Sequence, residues 1–231
     1  MKAFKLLASV LIVSLFAYNA TGCSQEVNFG PKGLAAYADK CGAALYDDSE
    51  EWVSDANLKI DSYNWLDEDG IYCYAKEGEV ADYLENEFVS GKFYSQSVDS
   101  DISIKEAAVY LFAENKDTMN EGKASLHVIS MDFSSKEDAE DMYEEYADYL
   151  EMFYSFCLEQ NVKEVEDKGI LSTFILNEGN GFAISACVYL KNYTVMVVTC
   201  DMTSEGSIDY TNGLVDDFCD EFDLKAPSEI L

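Results

Sequence analysis

The chain has 231 residues with 45 acidic side chains against 15 basic ones, a formal charge of -30. Phosphate binding needs a local positive field, so this balance argues against a nucleic-acid partner. Every basic residue is a lysine, which also removes bidentate guanidinium recognition of phosphate or carboxylate. At 48% hydrophobic composition, with 16 tyrosines and 13 phenylalanines, the chain is no acidic disordered tail. Its length suits one large domain or two small ones.

The first segment is an export signal by composition. Lys2 and Lys5 precede the uncharged run Leu6 to Phe16, which is too short for the roughly 20 residues a spanning helix needs. Ala20-Thr21-Gly22-Cys23 follows and resembles the lipobox of bacterial lipoproteins, with alanine where leucine is commonest. That resemblance covers the export segment only. It implies cleavage before Cys23, lipid including palmitate on that residue, and a protein held at the extracytoplasmic face of a bacterial membrane. Several acyl chains would be needed, because one holds only marginally. The domain scheme is then a signal peptide at 1–22, a lipidated tether at 23–30, one α+β domain at 31–222 and a short tail at 223–231. Halves of that domain would divide near 100–123.

Beyond the tether, Pro31 followed by Leu34, Ala38, Cys41 and Leu45 predicts a helix over Lys32 to Leu45. The charged stretch Asp47 to Glu51 should end it, with a short strand around Leu58 to Ile60. Asp67-Glu68-Asp69-Gly70 reads as a turn before a strand at Ile71 to Ala75. A calcium loop in that register would place Trp65 first and Lys76 last, losing its two strongest ligands. Val80 to Phe88 permits a short helix, Ser90 to Ser103 a polar connection, and Ala107 to Ala113 either a helix end or a buried strand. Asn115 to Gly122 then forms a polar turn.

Ala124 to Phe133 predicts a strand buried on both faces, Leu126 and Val128 on one side and Ile129, Met131 and Phe133 on the other. Ser134 and Glu137 have capping-box spacing, opening a long amphipathic helix from Lys136 to about Phe156. Four like-charge pairs at a spacing of four, such as Glu137 with Asp141, oppose this helix by about 0.2–0.5 kcal/mol each. Packing against a sheet must therefore hold it.

Three strands are expected next: Ile170 to Leu176, Phe182 to Leu190 and Tyr193 to Cys200. A Lys191-Asn192 turn would set Val188 opposite Val195. Asn192-Tyr193-Thr194 also matches a glycosylation acceptor, read here as turn plus strand. A last helix spans Ile208 to Phe222, and Asp223 to Leu231 reads as a loose end. The expected fold class is α+β: a mixed or mainly antiparallel sheet covered by the long helix and a C-terminal helix, with two similar halves as an open possibility.

Outside the cytoplasm Cys41, Cys73, Cys157, Cys187, Cys200 and Cys219 are candidate disulfide cysteines, with fifteen complete pairings open. Cys41 with Cys73 is preferred, while the hairpin register separates Cys187 from Cys200. Buried free thiols are the competing reading. His127 is the only histidine and sits within a strand pattern, and no local motif marks a nucleophile, phosphate loop, metal cluster or dinucleotide site. The sequence therefore assigns no catalytic residue, cofactor or metal ligand. It favours a non-enzymatic, membrane-tethered module for a peptide, glycan or protein, with Trp52, Tyr63 or Trp65 as contributors to a ligand patch. The alternatives are a secreted hydrolase or thiol enzyme, and a surface scaffold without a small ligand.

Overall fold

A computed structural model describes residues 28–54, 70–84, 103–114, 123–153, 159–179, 182–203 and 208–231. The expected strand at Leu58 to Ile60, the acidic turn at Asp67 to Gly70 except its glycine, and most of the 90–103 and 115–122 connections lie outside them. So do Cys23, Tyr63, Trp65 and Cys157.

Helix α1 (Pro31–Lys40) starts with proline at its first turn, where the missing amide costs nothing. It stops earlier than expected. Gly42 takes a φ of 85°, the Gly42 amide bonds to Asp39 and the Ala43 amide reaches back to Ala38, closing the helix. Ala44–Tyr46 is instead a short strand, β1. The acidic run that follows begins a helical turn over residues 49–54, because the Asp48 carboxylate accepts the Glu50 and Glu51 amides at 2.9 and 3.0 Å. Trp52, offered as a ligand contact, is fully buried there.

The remaining elements are β2 (Ile71–Lys76), α2 (Val80–Leu84), β3 (Ile104–Glu114), β4 (Lys123–Phe133), α3 (Lys136–Phe153), β5 (Glu159–Asp167), β6 (Ile170–Gly179), β7 (Phe182–Lys191), β8 (Thr194–Thr203), α4 (Ile208–Glu221) and α5 (Pro227–Ile230). The strands form one mixed sheet in the order β1-β2-β3-β4-β8-β7-β6-β5. Only β1 with β2 is parallel, and every other neighbour pair is antiparallel. The Ala107 to Ala113 ambiguity resolves as strand, since β3 pairs with β2 over residues 106–111 and with β4 from Ile104 to Glu114.

Side-chain alternation divides the core in two. Ala139, Met142, Tyr143, Tyr146 and Leu150 of α3 share one cluster with Val109, Ile129, Met131, Ala186, Val188 and Val197. Leu34 and Ala38 of α1 and Val215, Phe218 and Cys219 of α4 share the other with Tyr110, Val128, Cys187, Tyr189 and Val198. Burying any one large α3 side chain contributes about 1.5–3 kcal/mol, enough to offset the helix's like-charge pairs. An ion pair of Lys136 with Glu140 also removes one charge from that balance. Tyr143 O–H and Thr173 Oγ1 share a 2.7 Å hydrogen bond that ties α3 to β6.

Several local expectations are corrected. Ser135, not Ser134, caps α3, its Oγ accepting the Asp138 amide at 3.0 Å. The β7–β8 turn is Asn192-Tyr193, with Lys191 opposite Thr194 and Val188 opposite Val197. Asn192 takes a φ of 58°, which asparagine tolerates better than most residues. The shift moves the pairing by two residues, so each side chain keeps its face. Strand β5 has no counterpart among the expected elements. It is a charged edge strand, and the other edge is the three-residue β1, so both edges are blunted against further pairing. The last residues are not loose: Leu224, Ala226 and Pro227 are buried and α5 packs on β6 and β7. As for similar halves, β1 meets β2 in parallel whereas β5 meets β6 antiparallel.

Candidate functional site

A cleft of about 550 Å³ opens at the sheet end where β4 stops and β8 begins. Its walls are Asn28, Phe29, Lys105, Asp132, Phe133, Ser134, and residues 191–194 of the β7–β8 turn. Asp132 faces Thr194 across the β4–β8 ladder, and the Thr194 hydroxyl donates to Asp132 Oδ1 at 2.5 Å. The Phe133 amide donates to the Tyr193 carbonyl at 2.8 Å, so the turn is fastened to the strand beside it. Lys105 enters at an irregularity in β3 between Ile104 and Glu106, the kind of break that redirects a side chain.

The entering chain supplies the last wall. Gly33, in the first turn of α1, lies so close to the Asn28 backbone that a Cβ there would stand 1.5 Å from the Asn28 carbonyl oxygen. Gly30, with a φ of 134°, continues the chain past Asp132 and Thr194. Phe29 is thereby held with its ring 5.6 Å from Lys191 Nζ, within cation–π range. A nearby pair, Lys32 with Glu106 at 2.8 Å, links α1 to β3 at the same end.

Two lysines and one carboxylate thus line this cleft in a chain whose formal charge is -30. Burial raises the Asp132 carboxyl above its usual range, opposed by the Thr194 hydrogen bond; Glu106 adds to the rise, while Lys32 and Lys105 oppose it. The resulting surface offers ammonium donors, hydroxyls, a side-chain amide and the exposed Tyr193 ring. That chemistry suits holding a ligand with anionic or polyhydroxyl groups.

The residues singled out from sequence lie elsewhere. His127 is buried in β4 between Leu111 and Thr199, away from the cleft walls. Cys41 is exposed after α1 and belongs to the α1 side of the molecule, whereas Cys73 is buried among the α3-side residues, so the preferred Cys41–Cys73 pair is not brought together. Cys187, Cys200 and Cys219 are buried on the α4 side of the sheet. None lines the cleft. Among the described residues no group of three or more His, Cys, Asp or Glu is placed to hold a metal ion, and no helix there is long and apolar enough to cross a membrane.

The cleft residues themselves carried little sequence signal. Phe29 read as tether and Lys191-Asn192 as turn, while Lys105 fell between the expected 90–103 connection and the Ala107 to Ala113 segment; only the pairing of strands far apart in sequence assembles them.

Fold and site together define an α+β domain with a polar, lysine-bearing surface cleft. No family profile matches the chain, and no curated protein does. Among solved structures, the extracellular domain of PknH from Mycobacterium tuberculosis aligns with 52% of this chain and 65% of its own, at 10% identity and a TM-score of 0.32. A likeness of that size assigns neither family nor function.

Proposed function

We propose that this protein is a non-enzymatic binding module on the extracytoplasmic face of a bacterial membrane, anchored by lipid on Cys23 and taking a peptide, glycan or protein partner. The observation that carries the reading is the cleft at the point where the chain enters the fold. Only residues 24–27 separate Cys23 from Asn28. At about 3.3–3.6 Å per residue, five steps reach no more than roughly 18 Å, so a lipid on Cys23 keeps the cleft close to the bilayer surface. The lysines favour an anionic group on the partner, and Tyr193 favours a sugar or aromatic face.

The test is binding of the purified protein to arrays of peptides and glycans, alongside a Lys105→Ala/Lys191→Ala variant. Selective binding that the variant loses supports the reading. Binding that the variant retains removes the cleft from it, and no selective binding on either array leaves the scaffold alternative.

A further inference from the structure

Two cysteines distant in sequence meet beneath the C-terminal helix. Cys187 on β7 and Cys219 on α4 are fully buried thiols in the same core cluster, and burial together with the neighbouring Cys219 raises the Cys187 thiol above its ordinary range. Tyr189, two residues along the same face of β7, places its hydroxyl 3.1 Å from Cys219 Sγ and donates to the Lys225 carbonyl at 2.5 Å. Helix α4 packs on β7 and β8, so this contact joins α4 to the sheet.

Among the described residues the other cysteines compete poorly for Cys187. Cys200 is opposite Ser185, whereas Cys187 is opposite Val198, which makes the two cysteines diagonal neighbours. Diagonal positions on adjacent strands stand about 7–8 Å apart, beyond the roughly 3.5–4.5 Å between Cβ atoms that a disulfide spans. Cys73 lies on the opposite side of the sheet and Cys41 is exposed at the end of α1.

We propose that Cys187 and Cys219 form a disulfide in the exported protein, a covalent staple between sheet and C-terminal helix. The inference rests on the export reading for its oxidising compartment. The oxidant is a disulfide donor, a protein or small molecule of that chemical class. One protein thiolate attacks the donor disulfide and releases one donor thiol. The second protein thiolate attacks the protein-side sulfur of the mixed disulfide and releases the other. Two electrons pass to the donor, and the two thiol protons end on its sulfurs. Burial holds the Cys187 thiol protonated in the folded chain, so exchange precedes closure of α4 over β7. The same burial then shields the bond from reductants.

The experiment is peptide mapping of the full chain extracted from membranes of cells that make it, denatured in N-ethylmaleimide and digested with and without reductant. The expected result is a Cys187–Cys219 linked peptide pair that disappears on reduction, with neither cysteine labelled beforehand. Labelling of both thiols, or linkage of either to another cysteine, overturns the proposal. As a second readout, reductant applied in partly denaturing conditions should lower the melting temperature of the wild type by roughly 10 °C. It should leave a Cys187→Ala/Cys219→Ala variant unmoved, and an equal response of the two proteins contradicts the staple. The amino-terminal peptide from the same digest keeps the two readings apart. A lipidated Cys23 with labelled Cys187 and Cys219 sinks the staple alone, while an unlipidated chain with the link intact sinks the anchor alone.

Discussion

Replacing Gly33 by alanine sets two physical effects of opposite sign against each other. Inside a helix, alanine is favoured over glycine by about 0.8–1.0 kcal/mol, so propensity alone forecasts a more stable protein. The structure forecasts the reverse. The new methyl would stand 1.5 Å from the Asn28 carbonyl oxygen and 2.6 Å from its carbon. Since carbon–oxygen contacts below about 3 Å do not persist, backbone and not a pliable side chain must move by more than 1 Å. Forced shifts of this kind cost typically 1–3 kcal/mol. That exceeds the propensity gain over most of its range, and for a domain of this size each kcal/mol moves the melting temperature by about 2–4 °C. Equilibrium urea unfolding followed by circular dichroism should therefore show Gly33→Ala less stable than wild type. The displaced Asn28-Phe29 segment should also lose the Phe29 contact with Lys191, seen as a changed Lys191 Nζ signal by NMR. A variant stabilised by about 1 kcal/mol with that signal unchanged would refute the packing argument.

Other perturbations read other parts of the molecule. Leu150→Ala removes a fully buried α3 side chain and should cost about 2–5 kcal/mol in urea unfolding; a loss below 1 kcal/mol would mean that α3 is not packed as described. Tyr189→Phe deletes the hydroxyl that donates to the Lys225 carbonyl, with an expected cost of about 1–3 kcal/mol and faster amide exchange across residues 224–231; unchanged exchange there would contradict the tie. Asp132 has a raised carboxyl pKa in the fold, so it binds more protons folded than unfolded between the ordinary value and its own. Its contribution is thus favourable at low pH and is lost as pH rises through the folded value. Asp132→Asn should gain melting temperature relative to wild type at pH 7 compared with pH 4, and a difference that is flat or reversed with pH would refute the assignment.

How much of this was legible follows from where each signal resides. Strand β4 and helix α3 were readable because their apolar positions repeat at two and at 3.6 residues over long stretches, and each pattern had to meet a buried face. The β7–β8 pair was readable in existence and in face, but not in register: Lys191-Asn192 and Asn192-Tyr193 are both acceptable turns by composition, and only Asn192 in the left-handed region selects the second. Strand β5 was invisible because Glu159 to Asp167 is charged for an edge and buries little. The Asp47 to Glu51 run reads as a helix stop by charge, yet Asp48 starts a helical turn, since the same carboxylate that repels its neighbours accepts their amides. The cleft was out of reach for a different reason. Phe29, Lys105, Asp132 and Lys191 come from four segments, and none bears a pattern that distinguishes a ligand wall from a connection.

Membrane anchoring through Cys23 is tested most directly by intact-mass measurement of the protein extracted from membranes. The expected species begins at Cys23 and carries the added mass of acyl chains. A soluble species with a free Cys23 thiol, or one that begins at another residue, would contradict it.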